Sequence, residues 1–242
     1  MTAVTVSLPL FPLGAVLFPG LVLPLNVFEE RYRALVRDLL ALPADGPRQF
    51  GVVAIRDGHE VAPSGPGTAD TGPAAGFGPD LDRALYPVGC VADVASVQEQ
   101  SGGGYELVAT GTTRFRVLSV DASGPYLVGE VEMLPEEPGT GAGALTSAVD
   151  RAFRGYQKLL AGARERTLAA PQELPDRPSV LSYLVAAAMV VEVPVKQRLL
   201  ECADTAARLA EELALLRRET ALIGKLPSLP AVELTRQRTN RN

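Results

Sequence analysis

The opening stretch constrains this chain more than any other segment. Residues 2–28 carry no charged side chain and are mostly apolar, a length and composition that alone would match a membrane-spanning helix. Proline removes that option. Pro9, Pro12, Pro19 and Pro24 each delete a backbone donor and clash with the preceding helical turn. The segment is therefore expected to fold as short extended pieces, around residues 4–8 and 16–23, packed into a core.

The next segment carries clear local signals. Asn26 and Glu29 have capping-box spacing, and Phe28, Tyr32, Leu35, Val36, Leu39 and Leu40 repeat at helical intervals until Pro43 and Gly46. Residues 50–55 form a continuous apolar run of the kind found in buried strands, and Asp57-Gly58 suggests a hairpin turn into residues 59–62. Between 63 and 79 the composition shifts to Pro, Gly, Ala, Ser and Thr, which offers little burial to offset ordering entropy, so a mobile surface loop is expected. Strand patterns resume at 89–97, 105–111, 114–120 and 126–134. One helix among several short strands predicts a strongly bent sheet or partly closed barrel over residues 1–134.

A Pro- and Gly-rich linker is expected at 135–143. Beyond it, over 144–226, the periodicity is helical throughout. Leu145, Val149, Ala152, Phe153, Tyr156, Leu159 and Leu160 mark one helix, Ser179 is the expected cap for 180–191, Pro194 opens another, and Asp204 can cap a long helix carrying Leu209, Leu213, Leu216 and Ile223. These stripes read as the core of a helical bundle. Residues 227–242 read as a flexible tail, with Arg236, Arg238 and Arg241 as solvated charge. The expected class is α+β: a β-rich part followed by an α-helical bundle.

Composition excludes several functions. A net charge of −5 and 5% aromatic content leave little with which to neutralise phosphates or stack bases, so nucleic acid is disfavoured as a partner. Two cysteines far apart in sequence, and a start lacking the positive n-region of a secretory leader, fit a reducing cytoplasm and no disulfide framework. The sole histidine, His59, lies beside a predicted turn, which rules out multi-histidine zinc sites and leaves little basis for a His-containing triad. Gly224-Lys225 is followed by Leu226 and comes after no strand, so it is not a phosphate-binding loop. The paired carboxylates Glu29/Glu30, Glu136/Glu137 and Glu211/Glu212 are sequence neighbours and do not face a common point. No catalytic residue, metal ligand or cofactor site is expected.

One likeness emerges from the residues themselves. Leu8-Pro9-Leu10-Phe11-Pro12-Leu13, Val16-Leu17-Phe18-Pro19-Gly20, Leu23-Pro24-Leu25 and Phe28-Glu29-Glu30-Arg31-Tyr32 resemble the opening of the Lon protease N-terminal, or substrate-binding, domain family. Phe50-Gly51-Val52-Val53, Val88-Gly89-Cys90-Val91-Ala92, Ala109-Thr110-Gly111, Arg114-Phe115-Arg116-Val117 and Pro125-Tyr126-Leu127-Val128 are similar to its succession of strands. Lys196-Gln197-Arg198-Leu199-Leu200-Glu201 and Arg208-Leu209 resemble its helices. The resemblance spans about residues 5 to 225. It implies a PUA-like bent sheet, or pseudo-barrel, followed by a helical bundle, with a role in recognising polypeptides. It does not bring catalysis, because no ATPase or Ser-Lys peptidase module is expected in this chain.

Recognition is accordingly expected at apolar residues of the opening, with Phe18, Leu21, Val22, Phe28 and Tyr32 as contact candidates and Glu29 and Arg31 as charged neighbours. Expected partners are unfolded polypeptide or, as an adaptor, one specific protein. RNA binding through the PUA-like fold is the weaker alternative, and no membrane partner is expected.

Overall fold

The computed structural model describes residues 5–43, 46–60, 72–163 and 174–225. Six strands come first: β1 (Thr5–Leu13), β2 (Val22–Val27), β3 (Gln49–Ala54), β4 (Val88–Glu99), β5 (Tyr105–Asp121) and β6 (Val128–Leu134). Helix α1 (Glu30–Ala41) lies between β2 and β3, and the single turn α2 (Leu81–Ala84) precedes β4. Four helices come after them: α3 (Ala142–Ala163), α4 (Pro178–Ala188), α5 (Val193–Glu201) and α6 (Thr205–Lys225). The chain is α+β, with strands first and a helical bundle after.

The strands form one mixed sheet that bends back on itself. β1 runs parallel to β3 and antiparallel to β6, while β3–β4, β4–β5 and β5–β6 are antiparallel. The ring β1-β3-β4-β5-β6 therefore closes, and β2 is left outside it, paired among the described residues only with the first part of β5. Closure depends on the 17-residue β5 serving two neighbours on one edge, β2 through Tyr105–Thr110 and β6 from Arg114 onward. Register shifts between Cys90 and Ala92, Val94 and Ser96, and Val117 and Ser119 supply the local bending that a closed sheet requires. The two strand patterns expected at 105–111 and 114–120 are thus one continuous strand.

Bulky side chains facing glycines fill the ring. Leu10 and Phe115 are fully buried, and a Cβ added to Gly51 would lie 2.7 Å from Phe115 Cζ and 2.9 Å from a Leu10 methyl. One added to Gly129 would lie 2.9 Å from Leu10 Cδ1. These contacts are well inside van der Waals separation, so the glycines are what admit the large residues. Gly111 has a related role: a Cβ there would approach Phe18 O to 2.4 Å, where the chain leading into β2 crosses β5.

Several local expectations need correction. Asn26 lies in β2, paired with Glu106, and the N-cap of α1 is Glu29, with no side-chain cap bond. Extension of the β2–β5 ladder to Val27 takes the residues that the capping box would have used. Likewise α4 begins at Pro178 with Arg177 as N-cap, leaving Ser179 inside the helix, because proline at the first turn already satisfies the backbone rule that favours a start there. Asp204 does cap α6: its Oδ1 accepts the Ala207 N–H at 2.8 Å.

In the segment expected to be a mobile loop, 63–71 lie outside the described residues. Those at 72–79 are partly packed, with Ala75 and Phe77 buried. The expected flexible tail, 227–242, lies outside the described residues altogether.

Candidate functional site

β2 is an edge strand, and its chemistry is set by its register. Gly111 donates its N–H to Leu21 O at 2.9 Å and accepts from Gly20 N–H at 2.8 Å, so Gly111 turns its backbone towards β2. Antiparallel alternation then directs Ala109, Leu107 and Tyr105 to β2, bonded to Leu23, Leu25 and Val27. The backbones of Val22, Pro24 and Asn26 point the other way. Pro24 stands where no N–H is needed for the ladder, the position proline tolerates in a sheet. Beyond the β2–β5 ladder, no backbone hydrogen bond among the described residues reaches these three.

The side chains alternate to match. Leu23, Leu25 and Val27 pack towards the cluster formed by α1 with β1, β3, β4 and β5, whereas Val22, Pro24 and Asn26 are exposed. Val22, 64% exposed, and Phe28, 59% exposed, are the two most exposed large apolar side chains among the described residues. They stand at the two ends of the strand, about 20 Å apart at the usual rise per residue. Across the same outer face the register places Thr110 and Asp93 beside Val22, Val108 and Ser96 beside Pro24, and Glu106 and Gln98 beside Asn26. These rows contain two carboxylates and no basic group.

The other expected contact residues are placed differently. Phe18 is 1% exposed and packs in the bundle core, its ring 6.2 Å from that of Tyr183. Tyr32 is buried and stacks on Phe11 with ring centroids 4.0 Å apart; burial pushes its hydroxyl well above the ordinary tyrosine range. Leu21 is half-buried. Arg31 is buried and pairs with Glu29 at 3.0 Å. Its guanidinium donates to the carbonyls of Ala75 at 2.7 Å, Pro73 at 3.3 Å and Glu60 at 3.3 Å. It also lies over the rings of Tyr32 and Phe77. Arg31 ties Glu60, Pro73, Ala75 and Phe77 onto α1 and is not available to steer a partner. Of the expected residues, the structure leaves Val22 and Phe28 on the surface.

A buried polar cluster that the sequence did not signal joins the sheet to the bundle. Arg114, on β5, donates to Leu200 O at 2.9 Å and Cys202 O at 2.5 Å, at the C-terminal end of α5, where carbonyls carry partial negative charge. Arg114 also pairs with Glu136 at 3.4 Å. Glu136 Oε1 accepts from Thr205 Oγ1 at 2.6 Å and from Arg208 Nη2 at 2.5 Å, and the Tyr183 hydroxyl donates to Oε2. Burial pushes the Glu136 carboxyl up, but the Thr205 and Tyr183 hydrogen bonds and the Arg208 charge outweigh it, so it lies below the usual range. Arg208 Nε donates to Ser182 Oγ at 2.7 Å, and Ser182 in turn donates to Glu212 Oε1 at 2.8 Å. Glu136 is the ion-pair partner of Arg208, and Glu212, fully buried, is pushed up to about 8 by burial, with the Ser182 bond and Arg208 drawing it only partly back. Arg208 and Glu212 are four residues apart on a helix face otherwise read as core or solvated charge. Only that spacing inside an apolar stripe could have hinted at the cluster.

Both cysteines are free, with Cys90 buried beside Thr112 and Cys202 half-buried. Burial pushes their thiols up, to about 12 and about 11, opposite to the direction that activates a nucleophile. A cleft of about 530 Å³ between the α4–α5 connection and α6 is lined by Val190, Val191, Glu192, Val195, Arg218 and Glu219, with Glu219 ion-paired to Arg218 at 3.0 Å. Among the described residues no group of three or more His, Cys, Asp or Glu side chains could hold a metal ion, and no helix is long and apolar enough to cross a membrane.

Comparison with known proteins agrees with this architecture. The chain is 30% identical over 220 residues to Lon protease 2 of Myxococcus xanthus, and 30% identical over 223 residues to Lon protease of Anaeromyxobacter dehalogenans. Each match covers 89% of this chain but 24% of the relative, so the chain spans about a quarter of the length of these proteases. The crystal structure of a Lon N-terminal domain protein from Xanthomonas campestris superposes with a TM-score of 0.57 at 26% identity, covering 86% of this chain and 98% of that one. The N-terminal domain of a Mycobacterium avium complex Lon protease shares the fold, with a TM-score of 0.58 at 20% identity, covering 89% of this chain and 98% of that domain. The family model described as the ATP-dependent protease La (LON) substrate-binding domain matches residues 7–218, and the chain belongs to that family.

Proposed function

We propose that this protein is a non-catalytic recognition module that binds exposed polypeptide segments at the outer surface of β2. The observation that carries the reading is that a strand edge unpaired among the described residues stands beside their two most exposed large apolar side chains, Val22 and Phe28. Isolated apolar residues on a surface are ordinary, but here they bracket a row of free backbone groups. Membership of the substrate-binding domain family supports the same role. The carboxylates Asp93 and Glu106 on the adjoining face oppose a phosphate backbone, which favours polypeptide over RNA.

The test is capture of a denatured, reduced model client, measured as slowed aggregation by light scattering across a range of client concentrations. Wild-type protein is expected to delay aggregation at near-stoichiometric ratios. A Val22→Ser, Phe28→Ser double variant, shown by circular dichroism to be folded, is expected to lose most of the effect. Both substitutions lie at exposed positions, so a folding cost well under that of a core change is anticipated. No delay by the wild type at any ratio, or equal delay by the variant, refutes the proposal.

A further inference from the structure

We infer that recognition proceeds by strand addition: an extended segment of an unfolded polypeptide, with basic residues alternating with apolar ones, pairs with the free edge of β2 as a seventh strand. This rests on the reading of β2 as the recognition surface and specifies how it is read. Val22 and Asn26 each present an outward N–H and C=O, and Pro24 presents a C=O. A complementary array of this kind exists on any extended chain regardless of its sequence, which gives affinity without a fixed motif. Pro24 limits the bonds available on the edge, a feature that also restrains indiscriminate edge-to-edge association between folded copies.

Side-chain preference is set by the surroundings. Every second residue of an added strand would continue the face formed by Val22, Pro24 and Asn26, with Glu106 about two strand spacings, roughly 10 Å, away. That is within reach of a lysine or arginine and not of a short side chain. Asp93 lies on the same face near the Val22 end, and the rows between contain no basic group. With a chain net charge of −5, a basic segment is the electrostatically complementary occupant. Phe28 and Val22 offer apolar contact at the two ends of the added strand.

The probe is a fluorescently labelled ten-residue peptide of alternating Lys and Val, blocked at both termini, with binding read by anisotropy. Two derivatives carry backbone N-methyl groups, one on the Lys residues only and one on the Val residues only. An added strand uses one of its two edges, so one derivative is expected to bind at least tenfold more weakly than the other. Asn26→Pro removes an outward donor not used by the ladder to β5 and is expected to weaken the parent peptide at least fivefold, while Asn26→Ala binds as wild type. A glutamate-for-lysine peptide is expected to bind at least tenfold more weakly. If the parent peptide binds but the two methylated forms bind equally, or Asn26→Pro in a folded protein changes nothing, strand addition is overturned and side-chain docking remains. If neither the parent peptide nor the denatured client binds, the recognition role itself fails.

Discussion

Replacing Glu212 with glutamine should remove a pH dependence of stability that the wild-type protein carries near neutrality. Glu212 is fully buried, its Oε1 held by the Ser182 hydroxyl and its Oε2 without a partner. Because burial pushes its carboxyl up to about 8 from an ordinary 4.5, the folded protein keeps at pH 6 a proton that the unfolded chain has released. A raised carboxyl pKa contributes stability that is complete below the unfolded value and is lost as pH rises through the folded one. One pKa unit is worth about 1.4 kcal/mol, so linkage over the interval from pH 6 to pH 8 costs the wild type about 2 kcal/mol. Glutamine keeps an acceptor for Ser182, has similar size and does not titrate. At pH 6 the variant should lie within about 1 kcal/mol of wild type, and by pH 8 the wild type should have lost about 2 kcal/mol relative to it. Of the other shifted groups, Glu136 is lowered and contributes on the acid side, and the raised Cys90 and Cys202 thiols act above pH 8. Urea unfolding at fixed ionic strength, followed by far-ultraviolet circular dichroism because the chain has no tryptophan, measures this at pH 6, 7 and 8. Stability profiles that run parallel within about 0.5 kcal/mol would refute a neutral, buried Glu212, given that differences of that size are near the resolution of the method.

Packing gives two further expected outcomes. Gly129→Ala places a methyl 2.9 Å from Leu10 inside the closed ring and should destabilise by about 1–3 kcal/mol, seen as a lower thermal midpoint; an unchanged midpoint would mean that the ring yields at this contact. Arg31→Met removes the donors that bind the carbonyls of Glu60, Pro73 and Ala75 and should raise hydrogen exchange at Ala75 and Phe77 at least tenfold while β5 stays protected. Unchanged exchange at those amides would show that Arg31 does not hold this region.

The local grammar of the chain is legible in the sequence alone. Prolines 9, 12, 19 and 24 exclude a helix at the start because the constraint they impose is covalent and steric. The 3.6-residue stripes of α3 and α6, and the Asp204 cap, arise from spacings of three and four residues. The likeness to a family is legible for the same reason, since its motifs are short and contiguous. What the tertiary structure decided is which side of the protein each residue faces. Phe18 and Phe28 are alike in type and ten positions apart, yet one is core and the other surface, because Phe18 meets Tyr183 across the fold and Phe28 leaves the β2 ladder into solvent. Phe77 stands in a Pro- and Gly-rich stretch that promised little burial, and it is buried beside Arg31. Arg114, Arg208 and Glu212 are ionisable residues of the kind that sequence patterning assigns to solvent. They are buried because partners arrive from 21 to 88 residues away, and one-dimensional periodicity holds no information about contacts closed over such loops. The free edge of β2 is likewise a consequence of ring closure, in which β5 turns from β2 to β6 and leaves the second strand with a single neighbour among the described residues.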